Sequence, residues 1–318
     1  MHTLNPKQHF LHFFASLCLA LLLAGCAGMG SSTARPDSTP RIAVLSAFEP
    51  ELALLLAQLQ SPARQQINGV DFTTGTLAGK PVVLFLSGIS IVNATMNTQL
   101  VIDRFNVQAI VFSGIAGGVN PALHIGDVAI PAQWAQYLEV AMARETATGK
   151  YALPPHMATQ TPDQRLPNFG IMFPRPVEVR SAAHARPIEK FWFEVDSKML
   201  AVARGLGNVE LITCKAGHCL KHKPQLDVGG NGVSGQAFVD NAGFREYAFK
   251  SFQANVLDME TAAVGMVAYS NSVPWIAFRS LSDLAGGGDG ANEMNTFFSI
   301  AADNSARVLL AFLASWKP

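Results

Sequence analysis

The sequence predicts an α/β fold, one domain following residue 40, on three observations. Short apolar runs of strand type alternate with helical stretches from Arg41 onward. No second linker interrupts that alternation. Residues 255–283 read as one strand-helix-strand unit of the kind found in parallel sheets. The chain has 318 residues, 49% of them hydrophobic, which is ample apolar material for a core. Its 23 Lys and Arg balance 23 Asp and Glu without a basic cluster, which argues against nucleic acid as a partner.

Residues 1–25 read as a signal peptide, with Lys7 in a weakly positive leading region and an apolar stretch, Phe10 to Ala24, too short to span a membrane comfortably. That stretch ends in Leu23-Ala24-Gly25-Cys26, which resembles the bacterial lipobox, in which the Cys becomes the lipidated first residue. The alternative is a plain signal peptide, but a Cys directly after the small residues favours lipidation at Cys26. Ala27 in place of Asp then implies the outer membrane. The expected address is a membrane-anchored, exported lipoprotein of a bacterial cell envelope. Residues 26–40 would be the lipidated Cys and a flexible Gly/Ser/Thr/Pro tether.

Cys18 leaves with the signal and Cys26 is assigned to lipid, so Cys214 and Cys219 are expected to form a disulfide in a compartment that permits one. His218 and His222 lie nearby, but the spacing lacks the C-x2-C pattern of metal sites, and solvated loop histidines are expected. Neither a metal nor a cofactor is expected.

Arg41 to Ala47 reads as the first strand, Phe48 to Glu51 as a turn, and Glu51 to Leu59 as a helix with an apolar face. Gly75 to Gly79 reads as a hairpin turn and Val82 to Leu86 as a strand. Ser87 to Ser90 lead into a helix over Asn93 to Phe105. Ala109 to Phe112 is a buried strand running into the glycine-rich turn Ser113 to Gly118, where backbone at Ile115, Ala116 and Gly117 can approach a ligand closely. This turn does not match G-x-G-x-x-G, which argues against a dinucleotide. Val128 to Pro131 continues the sheet. Residues 140–190, rich in proline, read as a long surface excursion and a candidate lid. A helical pattern returns over Phe191 to Leu206, and Gly229 to Asp240 is a strand and turn with Phe238 near its end.

In the 255–283 unit, Asn255 to Leu257 ends a buried strand, and Asp258-Met259-Glu260 stands where a helix over Thr261 to Ser270 begins, a place that favours carboxylates. Trp275 to Phe278 is the second strand, leaving Arg279 and Asp283 at its carboxyl end. Ligands of open α/β sheets bind beside such ends, so Glu260, Arg279 and Asp283 are expected to converge on one crevice. A structural ion pair between Glu260 and Arg279 is the alternative.

Taken together, SAFEPEL (46–52), SGISIVNAT (87–95), SGIAGGVNPALHIGDVAIP (113–131), GVSGQAFVD (232–240), LDMETAA (257–263) and FRSLSD (278–283) resemble the nucleoside phosphorylase superfamily, nearest the methylthioadenosine/S-adenosylhomocysteine nucleosidases. The resemblance implies a twisted, mixed central β-sheet flanked by helices and cleavage of the N-glycosidic bond of purine nucleosides. On the matching positions it implies that Glu51 holds the attacking water with Arg279 beside it, and that Met259 and Glu260 lie under the ribose. Phe238 would stack on the purine, Val239 would meet its edge, and Asp283, oriented by Ser282, would be the general acid. Three positions depart from the pattern: Ile115 replaces a small Ser, Asp258 replaces the first Glu of an E-M-E motif, and Pro50 interrupts the acidic run before Glu51. The inserted segment and the NPALHIGDVAIP and FVDN wording are also similar to plant vegetative and bark storage proteins.

The chemistry asks for the same residue types. Departure of adenine is helped by protonating N7, which needs an acid kept protonated by burial. The sugar gains oxocarbenium character, which carboxylates stabilise. Hydrolysis of purine nucleosides or thionucleosides is therefore expected, with a small-molecule nucleoside as the partner and a homodimer as one assembly open to it. The rivals are a phosphate-dependent phosphorylase and a non-catalytic nucleoside-binding or storage lipoprotein. No arginine falls between Arg41 and Arg64, where phosphorylases place arginines for phosphate.

Overall fold

The computed structural model describes residues 37–157 and 166–317. The expected signal peptide (1–25), Cys26 and the tether as far as Pro36 lie outside them. Among the described residues, twelve strands form the main sheet: β1 (Asp37–Ser46), β2 (Gln60–Ile67), β3 (Val70–Leu77), β4 (Lys80–Leu86), β5 (Phe105–Gly118), β6 (Val128–Ile130), β7 (Gln133–Gln136), β8 (Phe193–Glu194), β9 (Leu226–Val228), β10 (Asn231–Ser234), β11 (Ala254–Asp258) and β12 (Trp275–Asp283). The strand order is β8-β7-β10-β11-β5-β1-β4-β3-β2, with β12 pairing both β5 and β6, and β9 pairing β6. Parallel pairs (β1 with β4 and β5, β5 with β12) coexist with antiparallel ones (β5 with β11, β2 with β3), so the sheet is mixed.

The centre of the sheet is buried on both faces, which is why β1, β5 and β12 read as unbroken apolar runs. Val44, Leu45, Val111, Phe112, Ile276 and Phe278 are all inaccessible to solvent. Among the described residues, six α-helices cover the sheet: α1 (Glu49–Ala57), α2 (Ile91–Arg104), α3 (Ser197–Arg204), α4 (Ala242–Phe252), α5 (Thr261–Ser270) and α6 (Met294–Ser315). α1 packs on α6 and α2 on α5.

Several boundaries differ from the sequence reading, each for a physical reason. β1 starts at Asp37, inside the stretch read as tether, because Arg41 Nε binds Asp37 Oδ2 at 2.6 Å and Asn106 Nδ2 donates to the Ser38 carbonyl at 2.9 Å. Pro50 lies within α1, which starts at Glu49, inside the stretch read as the turn Phe48 to Glu51. It stands in the first turn of α1, where its fixed φ and missing N–H are favourable. Gly75 lies inside β3 rather than in a turn. A Cβ there would come within 2.7 Å of the Gln60 carbonyl, and the hairpin turns at Ala78-Gly79 instead. Ser113 to Gly118, read as a glycine turn, is the far end of β5. Its backbone is held on one side by β12 and on the other by β11. The helix read over 191–206 is confined to α3, whose N-cap Asp196 accepts the Met199 N–H at 2.9 Å, while Phe193 and Glu194 pair with β7. The excursion over 140–190 contains three short antiparallel pairs, 140–142 with 172–174, 144–147 with 150–152, and 177–181 with 184–190. It is anchored to α4 by Phe169 against Phe244 and by the Tyr247 hydroxyl, which donates to the Pro167 carbonyl.

Candidate active site

The site is built where β5, β11 and β12 end together. Arg279 on β12 lies opposite Gly114 on β5 and is wholly buried, with its guanidinium carbon 4.0 Å from the centre of the Phe112 ring. Gly114 is obligatory there: a Cβ would sit 1.9 Å from Arg279 Nη1 and 2.8 Å from Glu51 Oε1. This clash is what the glycine run protects against, rather than a need for turn geometry.

Three carboxylates surround the guanidinium. Asp258 Oδ2 is 2.8 Å from Nε, Glu260 Oε2 is 3.6 Å from Nη2, and Glu51 Oε1 is 3.8 Å from Nη1. The Thr261 hydroxyl accepts from Nε and Nη2 at 2.9 and 2.8 Å, and itself donates to Asp258 Oδ2. A buried cluster of this kind holds only when every member is paired, because an unpartnered buried charge is costly.

Each carboxylate is also fixed by backbone. Glu51, in the first turn of α1, reaches back to accept the Ala47 N–H at 2.7 Å in the manner of a capping box, and its other oxygen takes the Ile115 N–H at 2.7 Å. Burial raises its pKa, against the opposing pull of Arg279 and the backbone donors. Glu260 accepts the Ser90 N–H at 2.8 Å, and Ser90 holds φ at +80°, a strained region for a serine. Burial raises the Glu260 pKa as well; Arg279 opposes the shift, and Asp258 adds repulsion. Asp258 accepts the N–H groups of Glu260 and Thr261 at 3.2 and 3.1 Å and the Ser234 hydroxyl at 2.5 Å, so it caps α5 while pairing Arg279.

Asp283 stands at the other end of the site. Its Oδ2 accepts the Ser282 hydroxyl at 2.9 Å, and its Oδ1 accepts the Ala285 N–H at 2.8 Å and Asn292 Nδ2 at 3.4 Å. Burial raises its pKa, with Asp240 adding repulsion, against the pull of those three donors. Gly117 lies beneath it, and a Cβ there would approach Oδ1 to 3.3 Å.

These groups open onto one cavity of about 270 Å³. Its walls include Glu51, Ile115, Ala116, Gly117, Phe238, Val239, Met259, Glu260, Ser282 and Asp283. Of the catalytic and substrate-binding residues expected from the sequence, Arg279 alone is not on the wall, since it lies behind the carboxylates. Phe238 is 56% exposed, so its ring is free to meet a ligand. No described residue of the 140–190 segment lines the cavity. Residues the sequence reading had not placed here are Phe48, Ile89 and Met294 on the wall, Asn292 behind Asp283, and Thr261 beside Arg279.

Cys214 and Cys219 are joined in a disulfide on an exposed hairpin away from these residues. The ring of His222 packs on that of His124 with centroids 4.1 Å apart. Among the described residues no group of three or more His, Cys, Asp or Glu side chains is placed to hold a metal ion.

A family model for the phosphorylase superfamily matches residues 41–314, and the chain belongs to that superfamily. Within it, the chain is 29% identical over 276 residues to the 5′-methylthioadenosine/S-adenosylhomocysteine nucleosidase of Mycobacterium bovis, covering 86% of this chain and 96% of the relative. It is 29% identical over 276 residues to the enzyme of that name from Lysinibacillus sphaericus, covering 86% and 99%. Among solved structures, the nucleosidase of that name from S. pneumoniae, determined with a transition-state inhibitor, MT-ImmA, superimposes with a TM-score of 0.63 at 25% identity, over 86% of this chain and 99% of the other. The futalosine hydrolase of Helicobacter pylori shares the fold, with a TM-score of 0.63 at 23% identity over 87% of this chain and 98% of the other.

Proposed function

We propose that the chain hydrolyses the N-glycosidic bond of purine nucleosides or 5′-thionucleosides and releases the free base. The observation that carries this reading is the charge of the cavity wall. Its ionisable residues, among those described, are Glu51, Asp258, Glu260 and Asp283, all acidic, and the nearest cation, Arg279, is already shared among the first three. Such a wall favours a sugar that becomes positive in the transition state and disfavours a phosphate dianion.

In this reading Asp283, whose pKa burial raises above the ordinary carboxylate range, gives its proton to the purine as the bond from C1′ breaks, and the bonding electrons leave with the base. Glu260 accepts hydrogen bonds from the ribose hydroxyls, with Met259 beneath the ring. Glu51, held in place by the backbone N–H groups of Ala47, Phe48 and Ile115, orients water. Phe238 covers the purine, and Val239 and the backbone of residues 115–117 meet its edges. Arg279 sets the charge and position of Glu51 and Glu260.

Purified protein incubated with methylthioadenosine is expected to release adenine at the same rate with and without phosphate, and to yield the free sugar. Turnover that depends on phosphate, with a sugar 1-phosphate as product, would show a phosphorylase instead.

An exported, lipid-anchored form is also proposed, supported by the Leu23-Ala24-Gly25-Cys26 sequence and by the disulfide. Three apolar side chains at the start of α2 and just before it, Ile89, Val92 and Met96, are 50%, 58% and 56% exposed, and Ile89 also lines the cavity. A second copy of the chain would cover them. Cys26→Ala is expected to leave the membrane fraction and to sediment as a dimer. Partitioning equal to the parent's would remove the anchor, and a monomer would remove the dimer.

A further inference from the structure

We propose that Asn292 is a positioning residue that decides which oxygen of Asp283 bears the acid's proton and ties that acid to the wall of the base site. The inference rests on the functional reading above, in which Asp283 protonates the departing purine.

The orientation of the Asn292 amide is fixed by its own neighbours. Oδ1 accepts the Met294 N–H at 2.9 Å, so Nδ2 must face the other way. There it donates to two carboxylates, to Asp240 Oδ1 at 3.1 Å and to Asp283 Oδ1 at 3.4 Å. Asp283 Oδ1 therefore receives two N–H groups, from Asn292 and Ala285, and has little room for a proton. Oδ2 receives only the Ser282 hydroxyl, whose hydrogen has a second acceptor in the Ala116 carbonyl at 3.4 Å. Protonating Oδ2 thus costs a hydroxyl rotation, whereas protonating Oδ1 would cost two N–H bonds. The proton resides on Oδ2. When the Oδ2–H bond breaks and the purine N–H forms, the Ser282 hydroxyl turns back to Oδ2 while Oδ1 stays held, and the carboxylate does not swing.

The second bond, to Asp240, links this acid to the base site. Asp240 follows Phe238 and Val239, which line the cavity. The glycine-rich segment 284–293 lies flat against that stretch: Asn241 N–H donates to the Ala285 carbonyl at 3.1 Å. A Cβ on Gly286, at φ +86°, would sit 2.3 Å from Asn241 N. One amide thereby bridges the acid and the loop that holds the base. The charged groups around Asp283 are Asp240 on that loop, Glu51, Asp258 and Glu260 across the cavity, Glu293 next to Asn292, and Arg245 of α4 against Gly287.

The test uses the full chain with Asn292→Ala and the isosteric Asn292→Asp. Steady-state rates of adenine release from methylthioadenosine are measured across pH, together with a carbon-13 NMR titration of the Asp283 carboxyl. For Asn292→Ala, kcat is expected to fall about 10- to 100-fold, the worth of a hydrogen bond to a charged group. KM should stay within about threefold. The alkaline limb of kcat and the Asp283 titration should both move to higher pH, because a donor to the ionised form is gone. Asn292→Asp, which adds a carboxylate, should move both further the same way. A pH profile and a carboxyl titration that superimpose on the parent's in either folded variant would overturn the proposal, even if kcat falls. If the parent itself releases no adenine, the functional reading fails. The carboxyl titration then decides alone, an unchanged Asp283 midpoint overturning the role of Asn292.

Discussion

Asp283→Asn is expected to lower kcat for adenine release by about 10²- to 10⁴-fold, the usual worth of general acid catalysis, while a nucleoside binds with an affinity close to the parent's. The amide keeps the shape and can still meet the Ser282 hydroxyl, but it has no proton to transfer. The pH dependence provides a second reading. Burial raises the Asp283 pKa, so the acid form persists above the ordinary carboxylate range and activity falls as pH rises through that raised value. The variant should lose this alkaline limb along with the rate. Rate and binding measured on one preparation test it, and a variant within a few-fold of the parent's kcat would remove Asp283 as the proton donor.

Arg279→Met should cost the largest share of stability of any single change near the site, about 3–5 kcal/mol at neutral pH, because Asp258, Glu260 and Glu51 would lose their common buried partner. The loss should itself depend on pH. Arg279 holds down the pKa values of Glu51 and Glu260 against burial, so its removal raises both further above their unfolded values. A group raised on folding contributes stability at pH below its unfolded value and loses that contribution as pH rises through the folded one. The gap between variant and parent should therefore be smaller near pH 5 than near pH 8. Urea denaturation at the two pH values measures it. A difference under about 1 kcal/mol, or one that does not change with pH, would mean that the carboxylates do not depend on Arg279.

Much of the site was legible in the chain because one unit, 255–283, brings Glu260, Arg279 and Asp283 together through a strand, a helix and a strand. Its helix was read at the observed bounds, Thr261–Ser270, since apolar packing, a cap and the Asn271 to Pro274 break agree there. Glu51 was harder, because a glutamate in a first turn is ordinary. On its own it gives no sign of a site, and the structure places it against the Ile115 N–H and Arg279. Asp258 was noted as a departure from a motif, whereas its partners Ser234 and Arg279 are remote in sequence. The run from Ser113 to Gly118 misled because glycine usually breaks a strand. Gly114 is there because an arginine from the neighbouring strand occupies the space of its Cβ. β2 was missed because nearly all its residues are exposed and no alternation betrays it. α6 and Asn292 lie beyond the last motif, the latter in a glycine-rich stretch with no periodicity.

The two ends of the main sheet determine how this chain can meet others of its kind. At one end β8 is two residues long. At the other, β2 contains Pro62, a residue with positive φ at Ser61, a register shift between Gln60 and Ala63, and the Arg64–Asp71 ion pair. Neither border offers a long, flat row of free amide and carbonyl groups on which a strand from another molecule could zip. Pairing of a strand from another molecule onto either border is thereby disfavoured, and with it the fibre growth that such pairing would allow.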